Sequence, residues 1–373
     1  MDTITHGLVG ALIAKAGFSQ RMGKVATTVL VVSAVFPDSD IVVDLVGNEF
    51  LYLKYHRSLT HSFLGALLFP ALLAWIFYRF SSYKKYWNLY ALSLVGVLSH
   101  IFLDLITSFG TMIFFPFSDR RVAWDMVFII DLIFTGIIVL SLGITWIYQD
   151  PKGATTRAGV LGITFYLLAF CVTLFLSRVA QRQVPWKILL LVDLLFTFFI
   201  LAPGIKGWIY RLDKATPCRI GLIGLSLYIG LCWINHQIAL GRVEDYIRKE
   251  GLQAISYAAF PGPLSPFRWS GVLKTQDASY QNWFNLLTPH RSEFSVFQDP
   301  PKDEYITRAE NLPVVQLFLW FARFPVIVYQ TLDQTHVVRY FDLRFNSGFR
   351  RTPFVLEVVI GPNGEILKQG FAD

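Results

Sequence analysis

Apolar runs recur along the first two thirds of the chain, separated by short polar stretches. They predict helices near 3–17, 24–47, 58–80, 86–107, 125–148, 158–177, 186–209 and 218–240. Most reach the roughly 20 residues that a bilayer's hydrocarbon core demands. The first is short, and Pro37 interrupts the second. "GLVGALIAKAG" and "LLFPALLAW" hold Gly and Pro, which membrane helices tolerate where neighbours satisfy the backbone. After residue 240 the pattern changes. "FPGPLSPFRW" is too rich in Pro for a helix. "FPVIVYQTL", "THVVRYFDLRF" and "RTPFVLEVVIGPNGEILKQGF" are rich in β-branched and aromatic residues, and Asn363-Gly364 signals a tight turn. The pattern predicts a mainly α, polytopic transmembrane helical bundle over residues 1–240. A soluble, mainly β (α+β) domain is expected over 241–373.

Composition agrees with this division. The chain of 373 residues is 54% hydrophobic and 16% aromatic, more than an ordinary soluble protein carries. Its net charge of +7 comes from basic residues that lie mostly in short loops, which fits lipid headgroups and topology rather than nucleic acid. Loops holding Arg21, Lys84, Lys85, Lys152, Lys206 and Arg211 are richer in charge than those holding Lys54, Arg57, Arg120 and Arg121. The richer side is read as cytoplasmic, which turns the C-terminal domain outward from a bacterial plasma membrane. Cys171, Cys218 and Cys232 show no metal or disulfide spacing. The opening "MDTITHGLVGALIAKAG" reads as a retained helix. Its first charge is Asp2, and its apolar stretch holds His6.

Ionisable residues stand out in the apolar part: Asp2, His6, Asp38, Asp40, Asp44, His56, His61, His100, Asp104, Asp125, Asp131 and Asp193. A charge at mid-membrane costs about 2.5–3.5 kcal/mol on insertion scales, so each needs a partner, a cavity or a metal. Under the alternating topology most of them fall toward one membrane face. His100 and Asp104 are four apart and share a helical face. Pro37 lets Asp38 and Asp40 present two carboxylates from a distorted turn. The five-residue step from His56 to His61 spans about 140°, placing His56 in the loop and His61 on the helix. The set is too large for one catalytic zinc with three protein ligands. Two or three divalent ions suit it, an arrangement fitted to phosphoester hydrolysis, with Arg57, Arg120 or Arg121 as phosphate clamps. The many His ligands favour Zn, with Mn or Mg open. Asp44 and Asp193 lack a His neighbour, and an ion pair accounts for them as well as ligation does. His236, His290 and His336 lie outside the cluster.

"MDTITHGLVGA", "FPDSD", "HRSLTHS", "LSHIFLDLITSFGT" and "PFSDRRVAWDMVFIID" occur in this order. They resemble the YdjM-type family of membrane-bound metal-dependent hydrolases, over about residues 1–135. The resemblance implies metal residues His6, Asp38, His56, His61, His100 and Asp104, with Asp40, Asp125 and Asp131 beside them. The pattern is also distantly similar to zinc-dependent phospholipase C and the P1-type nucleases. Those enzymes begin with an N-terminal Trp ligand, whereas this chain begins Met1-Asp2.

The expectation is an integral membrane metal-dependent hydrolase acting on a lipid or lipid-linked phosphoester at the outer membrane face. Its metal ligands are His6, Asp38, Asp40, His56, His61, His100, Asp104 and Asp131. Its catalytic groups are Arg57, Arg120, Arg121 and Asp125. An ion-coupled transporter would spread acids through the membrane depth and pair discontinuous helices in two related halves, and neither is visible. A non-enzymatic regulator with a structural metal is the third reading. No nucleic acid partner is expected.

Overall fold

The computed structural model describes residues 1–42, 49–178, 186–288, 293–346 and 352–372. By its internal packing the chain falls into two compact units. Unit 1 comprises Met1–Pro37, Gly65–Leu103 and Asp131–Tyr228; unit 2 comprises Asp38–Leu64, Asp104–Ile130 and Ile229–Asp373.

Unit 1 is helical. Asp2 caps α1 (Thr3–Ile13) through Thr5 N–H and Thr5 Oγ1. Gly10 lets α1 lie against α2 (Lys24–Val35): a Cβ there would stand 2.7 Å from the Leu30 carbonyl oxygen. Ala14, Ala26, Val29, Leu30, Ala74, Leu89 and Leu92 form the core beside this contact. In chain order come α3 (Glu49–Tyr55), which lies in unit 2, then α4 (Phe63–Phe80) and α5 (Tyr86–Leu105). There follow α6 (Leu132–Ile147), α7 (Ala154–Arg178), α8 (Trp186–Leu201) and α9 (Thr216–Lys249). Among the described residues α4, α5, Ala154–Cys171 within α7, and α9 are long and apolar enough to cross a membrane. Leu132–Ile147 and Leu190–Ile205 are shorter apolar stretches.

Several expected helices differ at their ends: the seventh stops at Leu201 rather than 209, and the eighth runs to Lys249 rather than 240, past the boundary expected for the β domain. The second stops at Val35, and Phe36–Ile41 tightens into a 3₁₀ turn, because Pro37 has no N–H to continue the ladder. The third begins at Phe63, after a 3₁₀ turn at Leu59–His61. The fifth begins at Leu132 rather than near 125. The N–H groups of Trp124, Met126 and Val127 instead satisfy the Leu105 and Ile106 carbonyls at the end of α5.

Unit 2 holds two four-stranded antiparallel meanders. One runs β1 (Ser256–Pro261), β2 (Arg268–Lys274), β3 (Ala278–Asn285) and β4 (Ser295–Gln298). Next come α10 (Glu304–Glu310) and α11 (Pro313–Phe321). The second sheet is β5 (Pro325–Leu332), β6 (Thr335–Asp342), β7 (Leu356–Ile360) and β8 (Ile366–Phe371). Asp333 and Gln334, both at positive φ, join β5 to β6, and Asn363-Gly364 lies in the turn before β8, with Gly364 at φ 81°. Val315, Phe318, Phe321, Val338, Tyr340 and Val358 pack into one core with Leu53 of α3 and Phe109. The buried Arg344–Asp342 pair ties this core to the loop after α5. Arg344 donates to the carbonyls of Ser108, Phe109 and Phe321.

Candidate metal centre

Three short pieces of backbone build the site. The 3₁₀ turn after Pro37 turns Asp38 and Asp40 inward while Ser39 faces out. The chain from His56 to His61 makes a second tight turn, with Arg57 in the left-handed region at φ 64°. Arg57 is held at both ends: its N–H donates to Asp40 Oδ2 at 2.9 Å, and its Nη2 pairs with Asp104 Oδ1 at 3.0 Å. The last turn of α5 supplies Asp104.

Asp38, His61 and Asp104 converge. His61 Nε2 lies 3.6 Å from Asp38 Oδ1 and 3.2 Å from Asp104 Oδ2. On the other side of the ring, Nδ1 faces Asp40 Oδ2 at 3.3 Å and Thr60 Oγ1 at 2.9 Å. Thr60 donates to Asp40, so its oxygen accepts from His61 Nδ1–H. A carboxylate that orients one imidazole nitrogen while the other faces acids is the arrangement around metal-ligating histidines. His100 stands one turn before Asp104 on the same face of α5, and its Nδ1 lies 2.6 Å from the Ala34 carbonyl oxygen. A carbonyl can only accept, so Nδ1 carries the proton and Nε2 the lone pair.

Asp38, His61, His100 and Asp104 thus form a buried set able to hold a metal ion, their donor atoms within 4.8 Å of one another. Ligands at about 2.0–2.2 Å from one tetrahedral ion stand roughly 3.3–3.6 Å apart, so the widest pair would draw in on binding. Two imidazoles and two carboxylates are a donor set that zinc accepts.

The electrostatics match a cation. Burial works against a charged His61, but Asp104, Asp38 and Asp40 outweigh it and push its pKa up to about 10. Burial also opposes ionisation of Asp40, yet hydrogen bonds from His56 and His61 hold its carboxyl far below the usual range. His56 goes down, since burial outweighs its bond to Asp40.

The remaining expected residues make the following contacts. His56 binds Asp40 through Nδ1 at 2.9 Å and stacks on Tyr52. His6 is buried in unit 1, stacked on His100 with ring centroids 3.6 Å apart. Asp131 is the N-cap of α6: it accepts from Ile133 N–H, Phe134 N–H and the Tyr228 hydroxyl. Asp125 makes two bonds to Arg323 Nη1, at 2.8 and 2.9 Å. Arg57 directs its guanidinium at Asp104 and Thr107. Arg121 donates to the carbonyls of Gly110, Leu53 and His56, and Arg120 is exposed. Asp2 is the cap described above, Asp193 is half-buried on α8, and Asp44 and His290 lie outside the described residues. Thr60 and Thr107 join the network without having been singled out. A hydroxyl beside His61 or after Asp104 carries no distinguishing signal in a chain with many hydroxyls.

Helices able to cross a membrane, together with a buried His/Asp group, define an integral membrane protein with a metal-capable site. Residues 1–184, just under half of the chain, match the YdjM inner membrane protein family. The chain is also similar to the uncharacterized protein YfhP of Bacillus subtilis (strain 168). The two are 24% identical over 283 residues, 72% of this chain and 81% of that protein. No solved structure matches.

Proposed function

We propose that this chain is a membrane-bound metal-dependent hydrolase acting on a phosphoester at the outer face of the membrane. The observation that carries this is the buried Asp38–His61–His100–Asp104 group, with Asp40 orienting His61 from behind. Asp38, His61, His100 and Asp104 hold the ion, zinc being favoured by the two imidazoles. Arg57 balances the charge on Asp104 and fixes its rotamer. A divalent ion there would supply Lewis acidity toward a water and a phosphoryl oxygen.

Purified protein in detergent tests this, by metal content per chain and by hydrolysis of an activated phosphodiester and of short-chain phospholipids. His61→Ala and Asp104→Asn should each lose both metal and activity. Full activity in Asp104→Asn sinks the assignment. Burial favours a second reading, a structural ion: His61, His100 and Asp104 are all 0% exposed. That reading predicts bound metal, hydrolysis of none of these substrates, and a lower melting temperature on metal removal.

A further inference from the structure

Arg120 and Arg121 reach a cleft of their own in unit 2, a cavity of about 270 Å³ whose wall also includes Trp320, Arg323 and Arg344. The arginines have donors to spare. Arg120 is exposed and uses only its backbone N–H, which donates to Ser118. Arg121 spends Nη1 and Nη2 on carbonyl oxygens, and its buried Nε has no hydrogen-bond partner among the described residues. Arg323 serves Asp125 with Nη1 alone. Arg344 is fully engaged by Asp342 and backbone carbonyls and acts as a fixed charge. Counting Asp119 in the wall and the partners Asp125 and Asp342, four arginines face three carboxylates, an excess of one positive charge.

A second cavity of about 260 Å³ adjoins the first, sharing Asp119 and Trp320. Its remaining wall is Lys54, Tyr55, Met112, Phe115 and Leu317, largely apolar. The turn beside it exposes Phe114 at 47% and Phe117 at 90%. Aromatic side chains displayed this way belong at the boundary between headgroups and acyl chains.

We propose that these adjoining cavities bind one lipid with a phosphate headgroup. The phosphate would lie among Arg120, Arg121 and Arg323, and the first part of the tail would lie over Leu317 and Phe115. Bidentate arginine contacts suit a phosphate, and an apolar annex at the right end distinguishes a lipid phosphate from a free one. The inference goes beyond the hydrolase reading, because none of these contacts involves the metal group.

Calorimetric titration of the full chain in a non-ionic detergent tests it, with dihexanoyl phosphatidic acid and inorganic phosphate as probes. Two buried methylenes at about 0.8 kcal/mol each already give roughly tenfold, so the lipid should bind at least about tenfold tighter than phosphate. Arg120→Gln should weaken both probes, and Leu317→Asn the lipid alone. Adding a chelator should change neither. Equal affinity for the two probes, binding of neither, or lipid binding indifferent to Arg120→Gln (partition into the micelle) overturns the proposal. So does loss of lipid binding on chelation, which would assign the phosphate to the metal group and leave the hydrolase reading standing.

Discussion

His56 Nδ1, Arg57 N–H, Thr60 Oγ1 and His61 Nδ1 all converge on Asp40, so this carboxylate sets the posture of the whole turn. It faces the Nδ1 side of the His61 ring, opposite Asp38 and Asp104. Asp40→Asn keeps the shape but weakens the acceptor. Metal affinity should fall about 10- to 100-fold, as for other residues that orient a ligating histidine. A competition titration against a chelator of known affinity measures this, and an unchanged affinity would remove Asp40 from the role. His61 makes a second prediction. Its pKa near 10 in the folded, metal-free protein exceeds the ordinary histidine value of 6.5 expected of an unfolded chain. The stabilisation from its proton is therefore complete below pH 6.5 and is lost as pH rises through about 10. Metal-free protein should melt at progressively lower temperature from pH 7 to 10, and a flat profile would contradict the assignment. The His100–Asp104 pair one turn apart on α5 was legible because a helix enforces its own geometry. The partners of Asp125 were not: Arg323 lies 198 residues away, and no local period announces such a pair.

At the scale of elements, the ligands depend on helices packed closely enough to share backbone contacts. Gly96, one turn before His100 on α5, touches α2: a Cβ there would stand 2.7 Å from Ser33 Cβ and 3.1 Å from Ala34 N. Ala34 is the residue whose carbonyl holds His100. Gly96→Ala should cost about 1–3 kcal/mol by overpacking and lower metal content as well, since the backbone that must yield carries the His100 anchor. Thermal unfolding and elemental analysis of one preparation check both effects. Asp131→Ala gives the contrast. Losing an N-cap costs about 0.5–2 kcal/mol, and metal content should stay as it was. A fall in metal would place Asp131 among the ligands. Its position at the head of an apolar run suits a cap as well as a ligand, and the resemblance implies a place beside the metal residues.

For the whole molecule, hydropathy revealed the helical N-terminal part and the β-rich C-terminal part because each element buries its apolar side chains with its own period. The strands of β5 to β8 were legible from β-branched runs and turn residues. The first meander and the helices α10 and α11 were not. β1 and β2 surround a Pro-rich turn that masks their alternation, and α10 has only seven residues. Discontinuous membership in unit 2 is invisible to a local reading too. Residues 38–64 and 104–130 join it through contacts made far along the chain, such as Leu53 and Phe109 in a core with Phe318 and Val338.

The burial of the four donors has a kinetic meaning. With His61, His100 and Asp104 fully enclosed and Asp38 only 7% exposed, a chelator in solution cannot touch a bound ion by ordinary collision. Release, and under the hydrolase reading entry of substrate as well, must wait until the turn at Phe36–Ile41 or the turn at Leu59–His61 opens locally. The rate of metal loss should therefore rise with chelator concentration and then level off at the opening rate. A stopped-flow or hour-scale release assay over a range of chelator concentrations reads that plateau. A rate that stays proportional to chelator throughout would mean that an open path to the ion exists.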